Sequence, residues 1–283
     1  MSIGIRSETS APSTGRQHQP DAHRPDATIP HMGTALEQTL VVMPAYNESH
    51  AVAQVVTETR TKLPGVTVLV VDDGSTDATT DQARSAGAVV ATLPFNLGVG
   101  GAMRAGFRYA RDHGYQAVVQ VDADGQHDPA TVIELLAELD THDVVIGARF
   151  AGTGTYVMRG PRRWASWLLA KTISHTARAR LTDTTSGFRA SGPRAIELFA
   201  REYPAEYLGD TVESLVIACR AGLNVTQVPT AMRVRAGGVP SHRPLRAALY
   251  LARAMMALVF AYVRPKSTVR MPADSVPATP EKV

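Results

Sequence analysis

Gln120-Val-Asp122-Ala-Asp124-Gly-Gln126-His127-Asp128-Pro129 is the stretch from which the fold can be read outward. It follows the apolar run Ala117-Val-Val119, which predicts the end of a buried parallel strand. Asp128-Pro129 has the form of a helix N-cap with proline at the first helical position, opening a helix from Pro129 to Leu139. Two carboxylates and an amide oxygen therefore stand at the carboxyl end of a strand, where open α/β sheets hold their ligands. Asp122, Asp124 and Gln126 alternate and offer hard oxygen donors, a set suited to Mg²⁺ or Mn²⁺ with phosphate oxygens in the remaining positions. An acidic turn that caps a helix and binds nothing is the competing reading.

Upstream, Thr39-Leu-Val-Val-Met43 is an apolar run of strand length. It breaks at Pro44-Ala-Tyr46-Asn47-Glu48-Ser49, and helical spacing follows through Val52, Val55 and Val56. A second strand, Val66 to Val71, ends in Asp72-Asp73-Gly74-Ser75-Thr76-Asp77 and leads to a helix reaching Ala86. Ala88 to Leu93 makes a third short strand, and Asn96-Leu-Gly98-Val-Gly100-Gly101 opens a helix through Tyr109 and Arg111. The strand ahead of Asp122 is the fourth, and Val144-Val-Ile146 the fifth. Strands alternating with helices predict an α/β fold with a parallel sheet and right-handed crossovers. The first, second and fourth strands all end in carboxylate-bearing loops on one sheet edge, where crowded like charges cost energy without a cation. Gly98-Val-Gly100-Gly-Ala-Met103 lacks the third glycine of G-x-G-x-x-G and falls on the third βα turn, which argues against a Rossmann dehydrogenase. Close helix packing or backbone approach to a ligand accounts for these glycines.

The 283 residues, 44% of them hydrophobic, suffice for one large domain or one plus an appendage. The formal charge of +3 and pI near 9.1 are mild, but acidic residues crowd the first half and arginines dominate from Arg149 onward. That asymmetry points to an anionic partner for the second half. A nucleic-acid partner is disfavoured, since the arginines are not interleaved with an aromatic platform. The single cysteine, Cys219, excludes an intrachain disulfide and reads as core. Residues 1–37, rich in Pro, Ser, Thr, His and Gln, predict a disordered tail, and the start has no secretory h-region.

Pro44-Ala-Tyr-Asn-Glu48, Asp72-Asp-Gly-Ser-Thr-Asp77, Asn96-x-Gly98-x-Gly100 and Asp122-Ala-Asp-Gly-Gln-His127, in this order, resemble the family 2 glycosyltransferases. The likeness is to the branch of dolichol-phosphate mannose synthases and bacterial polyprenyl-phosphate glycosyltransferases, and it covers about Leu40 to Ser241. It implies a GT-A fold over 38–241, a mostly parallel central sheet flanked by helices, and a nucleotide-sugar donor, UDP- or GDP-linked. By resemblance Pro44, Ala45, Tyr46, Glu48, Asp72, Asp73 and Gly98 would hold the nucleoside. Asp122, Asp124 and Gln126 would hold the metal on the diphosphate, and Arg235, in Arg235-Ala-Gly-Gly-Val-Pro-Ser241, would fold over it. Arg149, Arg162, Arg163, Ser166, Ser186 and Arg189 would grip an acceptor phosphate. Physically the four arginines are guanidinium groups with little acid nearby in sequence, suited to bidentate phosphate contacts; a solvated basic face is the competing reading.

The leaving nucleoside diphosphate needs a cation, supplied at Asp124 and its neighbours with help from Arg235. An acceptor hydroxyl needs a general base, whereas a polyprenyl phosphate is already largely dianionic at pH 7. Relatives acting on hydroxyls commonly carry a Glu-Asp pair late in the domain. Here Gly209-Asp210-Thr211-Val-Glu213 has Thr211 at the second place, which favours a phosphate acceptor and leaves Asp210 or Glu213 as the base to consider, with helix capping and dipole complementarity as the competing reading. The expectation is an inverting, metal-dependent hexosyltransferase using polyprenyl phosphate. A hydroxyl-acceptor glycosyltransferase and a catalytically inactive nucleotide-sugar-binding protein are the alternatives.

Residues 242–265 carry an apolar core, Ala254 to Val263, shorter than the ~20 residues of a spanning helix. Arg246 and Arg253 share a face, and Arg243, Arg264, Lys266 and Arg270 flank the segment. This predicts an amphipathic C-terminal helix on the cytoplasmic membrane surface, or one packed on the domain or a small membrane protein partner, followed by a tail at 266–283. A homo-oligomer is left open.

Overall fold

The computed structural model describes residues 36–149, 174, 181–205 and 210–233. The expectations attached to Arg162, Arg163, Ser166 and Arg235, to the tail up to residue 35, to the helix at 242–265 and to the tail at 266–283 lie outside the described residues. Leu36, assigned from composition to the tail, is buried against the sheet.

The elements run Thr39–Ala45 (β1), Val52–Lys62 (α1), Thr67–Asp72 (β2), Thr79–Ser85 (α2), Val89–Thr92 (β3), Gly98–Asp112 (α3) and Ala117–Gln120 (β4). There follow Val132–Ala137 (α4) between 3-10 turns at Pro129–Thr131 and Glu138–Asp140, then Val144–Ala148 (β5), Arg189–Ser191 (β6), Pro193–Glu202 (α5), Asp210–Arg220 (α6) and Val225–Pro229 (β7). The strands form one sheet in the order β3-β2-β1-β4-β6-β5-β7. Every described pairing is parallel except those of β6, which lies antiparallel between β4 and β5.

Leu40 and Val42 face one core while Val41 and Met43 face the other, so β1 is buried on both sides and reads as a continuous apolar run. On α1 the buried positions are Val52, Val55, Val56 and Thr59, the stripe of a helix lying on one sheet face. On the opposite face Phe107 of α3 meets Phe199 and Tyr203 at 5.1 and 5.2 Å between ring centroids. Gly100 lets α3 approach its neighbours: a Cβ there would lie 2.2 Å from the Pro204 carbonyl oxygen. The helix expected from Pro129 to Leu139 starts as foreseen, Asp128 accepting the Ala130 N–H at 3.0 Å with Pro129 behind it, but its ends tighten into 3-10 turns. Among the described residues no helix is long and apolar enough to cross a membrane.

Because β2, β1 and β4 are neighbours and parallel, their carboxyl ends open side by side. The antiparallel β6 begins where β4 and β5 end, with Arg189 in register with Gln120 and Ile146. The chain ahead of it, 181–188, is thereby brought to the same edge.

Candidate active site

The loops after β1 and β2 are joined by hydrogen bonds. Asn47 N–H donates to Ser75 Oγ at 2.9 Å, Thr76 N–H to Asn47 Oδ1 at 2.9 Å, and Glu48 N–H to Thr79 Oγ1 at 2.9 Å. Asn47 has φ 55°, a left-handed conformation that asparagine tolerates better than most residues. Burial alone would raise the Asp77 carboxyl, but hydrogen bonds from Thr79 and Ser49 hold it down to about 2.

The two aspartates ending β2 have different work. Asp72 is buried and turned into the loop, accepting from the Ser75 N–H at 2.9 Å and from the Thr80 hydroxyl. Asp73 faces the cavity while accepting the Leu97 and Gly98 N–H groups, each at 2.7 Å. Gly98 supplies φ 81° for that turn. Burial raises the Asp73 carboxyl above its ordinary range, the two N–H groups opposing it and the Asp72 charge adding to it.

After β4, Asp122 and Asp124 both line the cavity. Gln126 gives its N–H to Asp124 Oδ1 at 3.0 Å, and its carbonyl accepts the Arg233 N–H at 2.9 Å. Pocket-lining residues do not include the Gln126 side chain, so its expected place as a third ligand rests on the resemblance. Among the described residues no three His, Cys, Asp or Glu side chains form a complete ion cage. Two carboxylates opening on a cavity nevertheless fit Mg²⁺ or Mn²⁺, which commonly take one or two protein carboxylates and leave other positions to substrate phosphates.

Asp128, one residue beyond His127, holds the loop down. It pairs with Lys62 at 2.9 Å and Arg233 at 2.8 Å, and both cations also reach Glu58. Burial would raise the Asp128 carboxyl, but Lys62, the Ala130 N–H and Arg233 bring it to about 2. A folded-state value below the ordinary 3.8 means that this stabilisation is present above pH ~4 and lost as pH falls toward 2. Wild type should therefore lose more thermal stability between pH 5 and about 2.5 than Asp128→Asn does, as followed by melting curves; parallel curves would contradict the network.

The basic half departs from the sequence reading. Arg149 does have an acid beside it: its guanidinium reaches Asp183 at 2.7 and 2.9 Å and Thr185 Oγ1 at 2.8 Å. Burial works against the Asp183 charge, but Arg149 keeps its carboxyl below the usual range. Arg189 is buried, donating to the carbonyls of Ser186, Thr211 and Thr184 at 2.8, 2.8 and 2.9 Å and to Ser214 Oγ at 3.1 Å. Arg189 thus ties the 184–186 loop to α6, and its guanidinium is spent on these buried contacts instead of lining the cavity. The Ser186 hydroxyl is also buried, with no hydrogen-bond partner among the described residues.

Asp210 opens α6 at the cavity wall, and its Oδ2 is buried without a hydrogen-bond partner among the described residues. Burial raises its carboxyl, Arg189 and the Thr211 N–H oppose the shift, and the Asp122 charge adds to it.

The resulting cavity has a volume of about 430 Å³. It gathers Pro44, Ala45, Tyr46, Glu48, Asp73, Asp122, Asp124 and Asp210 from the expected set, but Asp72, Gly98, Gln126, Arg149, Ser186 and Arg189 do not line it. Gln120, Thr185, Gly187 and Thr211 line it without having been assigned a role from sequence. Gln120 could have been found, since it ends β4 only two residues before Asp122, close enough for its amide to reach that carboxylate.

The model of the glycosyl transferase family 2 matches residues 40–200. An undecaprenyl-phosphate mannosyltransferase of Micrococcus luteus is 34% identical over 68% of this chain and 82% of its own length. A polyprenol monophosphomannose synthase of Mycolicibacterium smegmatis is 34% identical over 57% of this chain and 64% of its own. Among solved structures, glucosyl-3-phosphoglycerate synthase of Mycobacterium tuberculosis, in complex with Mn²⁺, UDP and glucosyl-3-phosphoglycerate, superposes with a TM-score of 0.62 at 24% identity. The match covers 87% of this chain and 88% of that one. The sheet and its flanking helices are those of a GT-A fold, and the chain belongs to glycosyltransferase family 2.

Proposed function

We propose that this enzyme transfers a hexose, with inversion, from a UDP- or GDP-sugar to a polyprenyl phosphate at the cytoplasmic face of a membrane. The observation that carries the donor half is the convergence of Asp73, Asp122 and Asp124 from three loops on one cavity. In this reading Asp73 and the Pro44–Glu48 loop take the nucleoside, Asp73 accepting hydrogen bonds from the base or ribose. Asp122 and Asp124, with Gln126, would hold Mg²⁺ or Mn²⁺. When bound, the cation offsets the negative charge developing on the leaving nucleoside diphosphate. Relatives named for undecaprenyl and polyprenol phosphates support the acceptor half. A phosphate dianion attacks the anomeric carbon without surrendering a proton, so the reaction requires no base. Arg162, Arg163, Ser166 and Arg235 keep their expected roles as part of this proposal, whereas Arg189 becomes a structural tie.

Radiolabelled UDP- and GDP-sugars, Mn²⁺ and vesicles containing short polyprenyl phosphate test the reading. The expected product is an acid-labile, alkali-stable glycolipid from one of the donors. Label found only as free sugar or in an acid-stable glycoside would overturn the phosphate acceptor.

One observation favours a second reading. The Asp210 carboxyl at the cavity wall, raised by burial and with Oδ2 free of a hydrogen bond among the described residues, is what a general base for a hydroxyl acceptor needs. Under that reading the acid-stable glycoside is the product.

A further inference from the structure

Of the residues next to Arg189, only Ser186 was expected at the acceptor phosphate; the following Gly187 and Phe188 lie against the loop that carries Asp122. Gln120 and His127 lie between them, and both are buried.

Gln120, the last residue of β4, donates from Nε2 to Asp122 Oδ1 at 3.2 Å. Gly187 leaves the space for that amide: a Cβ there would lie 2.8 Å from Gln120 Nε2 and 3.5 Å from Asp122 Oδ1. His127 touches Asp122 from the other side. Its Nδ1 accepts the Asp122 N–H at 3.2 Å, so in the neutral ring the proton sits on Nε2. That Nε2 lies 3.8 Å from Asp122 Oδ2, too long for a hydrogen bond but within range of an electrostatic contact. The ring itself is stacked on Phe188, with centroids 4.8 Å apart and planes at 18°. One oxygen of the partly exposed Asp122 carboxylate thus accepts from a buried amide, the other oxygen and the backbone N–H lie against a buried imidazole, and each of these two side chains is fitted against one residue of the Gly187-Phe188 pair.

We infer that Gly187 and Phe188, acting through Gln120 and His127, hold the Asp122 carboxylate in the orientation that receives a divalent cation with the donor diphosphate. The inference rests on the donor-site reading above and deepens it. A flexible carboxylate would lose rotational freedom each time the ion bound; the brace removes that loss beforehand. It also explains why the antiparallel β6 is inserted next to β4: its lead-in segment delivers the two bracing residues to the sheet edge.

The test is Mn²⁺ binding by the full chain, with and without UDP, followed by the EPR signal of free Mn²⁺. Gln120→Leu removes one donor, and His127→Phe keeps a ring against Phe188 while removing both nitrogens. Each should weaken Mn²⁺ binding in the presence of UDP about 10-fold or more. UDP binding in EDTA should stay unchanged, and the apparent KM for Mn²⁺ should rise more than kcat falls. His127→Asn, which keeps an acceptor for the Asp122 N–H, should recover part of the loss. A brace serving only stability would lower the melting temperature and leave the Mn²⁺ affinity of the folded protein unaltered. Equal affinities in folded Gln120→Leu and His127→Phe would therefore overturn the inference. Wild-type protein that binds UDP but shows no Mn²⁺ binding would overturn the metal-site reading and the brace with it.

Discussion

Asp124→Ala is expected to lower sugar transfer on the order of 10³-fold at saturating donor while leaving the folded protein intact. Two separate quantities underlie that split. The local structural loss is expected to be modest: Asp124 Oδ1 accepts the Gln126 N–H at 3.0 Å, and a hydrogen bond of this kind at a solvent-facing edge is worth about 1 kcal/mol. The chemical loss is expected to be large: in the proposed reading the two carboxylates that open from this loop on the cavity, Asp122 and Asp124, would hold the cation that offsets the charge growing on the departing diphosphate. Asp124→Asn separates the terms further, since an amide oxygen keeps the turn hydrogen bond but not the charge. Circular dichroism and melting curves should match wild type for both variants, with transfer measured across a Mn²⁺ titration. Near-wild-type activity at saturating Mn²⁺ would remove Asp124 from the metal site, and unfolding of both variants would mean that the loop's role is structural.

How much of this was legible in the sequence follows from what kind of signal each element carries. β1, β2 and β4 are apolar runs buried on both faces and ended by polar loops, so their existence, direction and shared carboxyl edge could be read from local pattern. β6 could not. It is three residues long, Arg189-Ala-Ser191, and begins with a charged residue, so no local propensity marks it; the pairing with Gln120 and Ile146 makes it a strand. The same limit misplaced the arginines. Arg149 seemed short of acids because Asp183 lies 34 positions away in sequence, yet the fold sets the two at 2.7 Å. Motif spacing located Asp73, Asp122 and Asp124 because each sits in a loop directly after its strand. The groups that orient them, such as His127 stacked on Phe188, depend on contacts between distant segments.

Arg189 offers the sharpest division between a ligand-binding arginine and a structural one. Arg189→Met is expected to destabilise the fold by about 3–5 kcal/mol, since hydrogen bonds from a buried charged group, each worth roughly 1.5–3 kcal/mol, are lost together. Methionine roughly fills the side-chain volume, so the loss is electrostatic rather than a cavity. Buried carbonyls of Thr184, Ser186 and Thr211 lose their donor, and Asp210 loses the positive charge that opposes the upward shift of its carboxyl. Lysine should rescue little, because one ammonium cannot reach the separate directions that the planar guanidinium fork spans. For a domain of this size the loss corresponds to a drop in melting temperature of roughly 10 °C, measurable by calorimetry or by the shift in urea midpoint. An arginine that gripped an acceptor phosphate would behave in the opposite way: unaltered melting, unaltered donor binding and a raised acceptor KM. That result would return Arg189 to the acceptor site and require its guanidinium to leave the contacts described above.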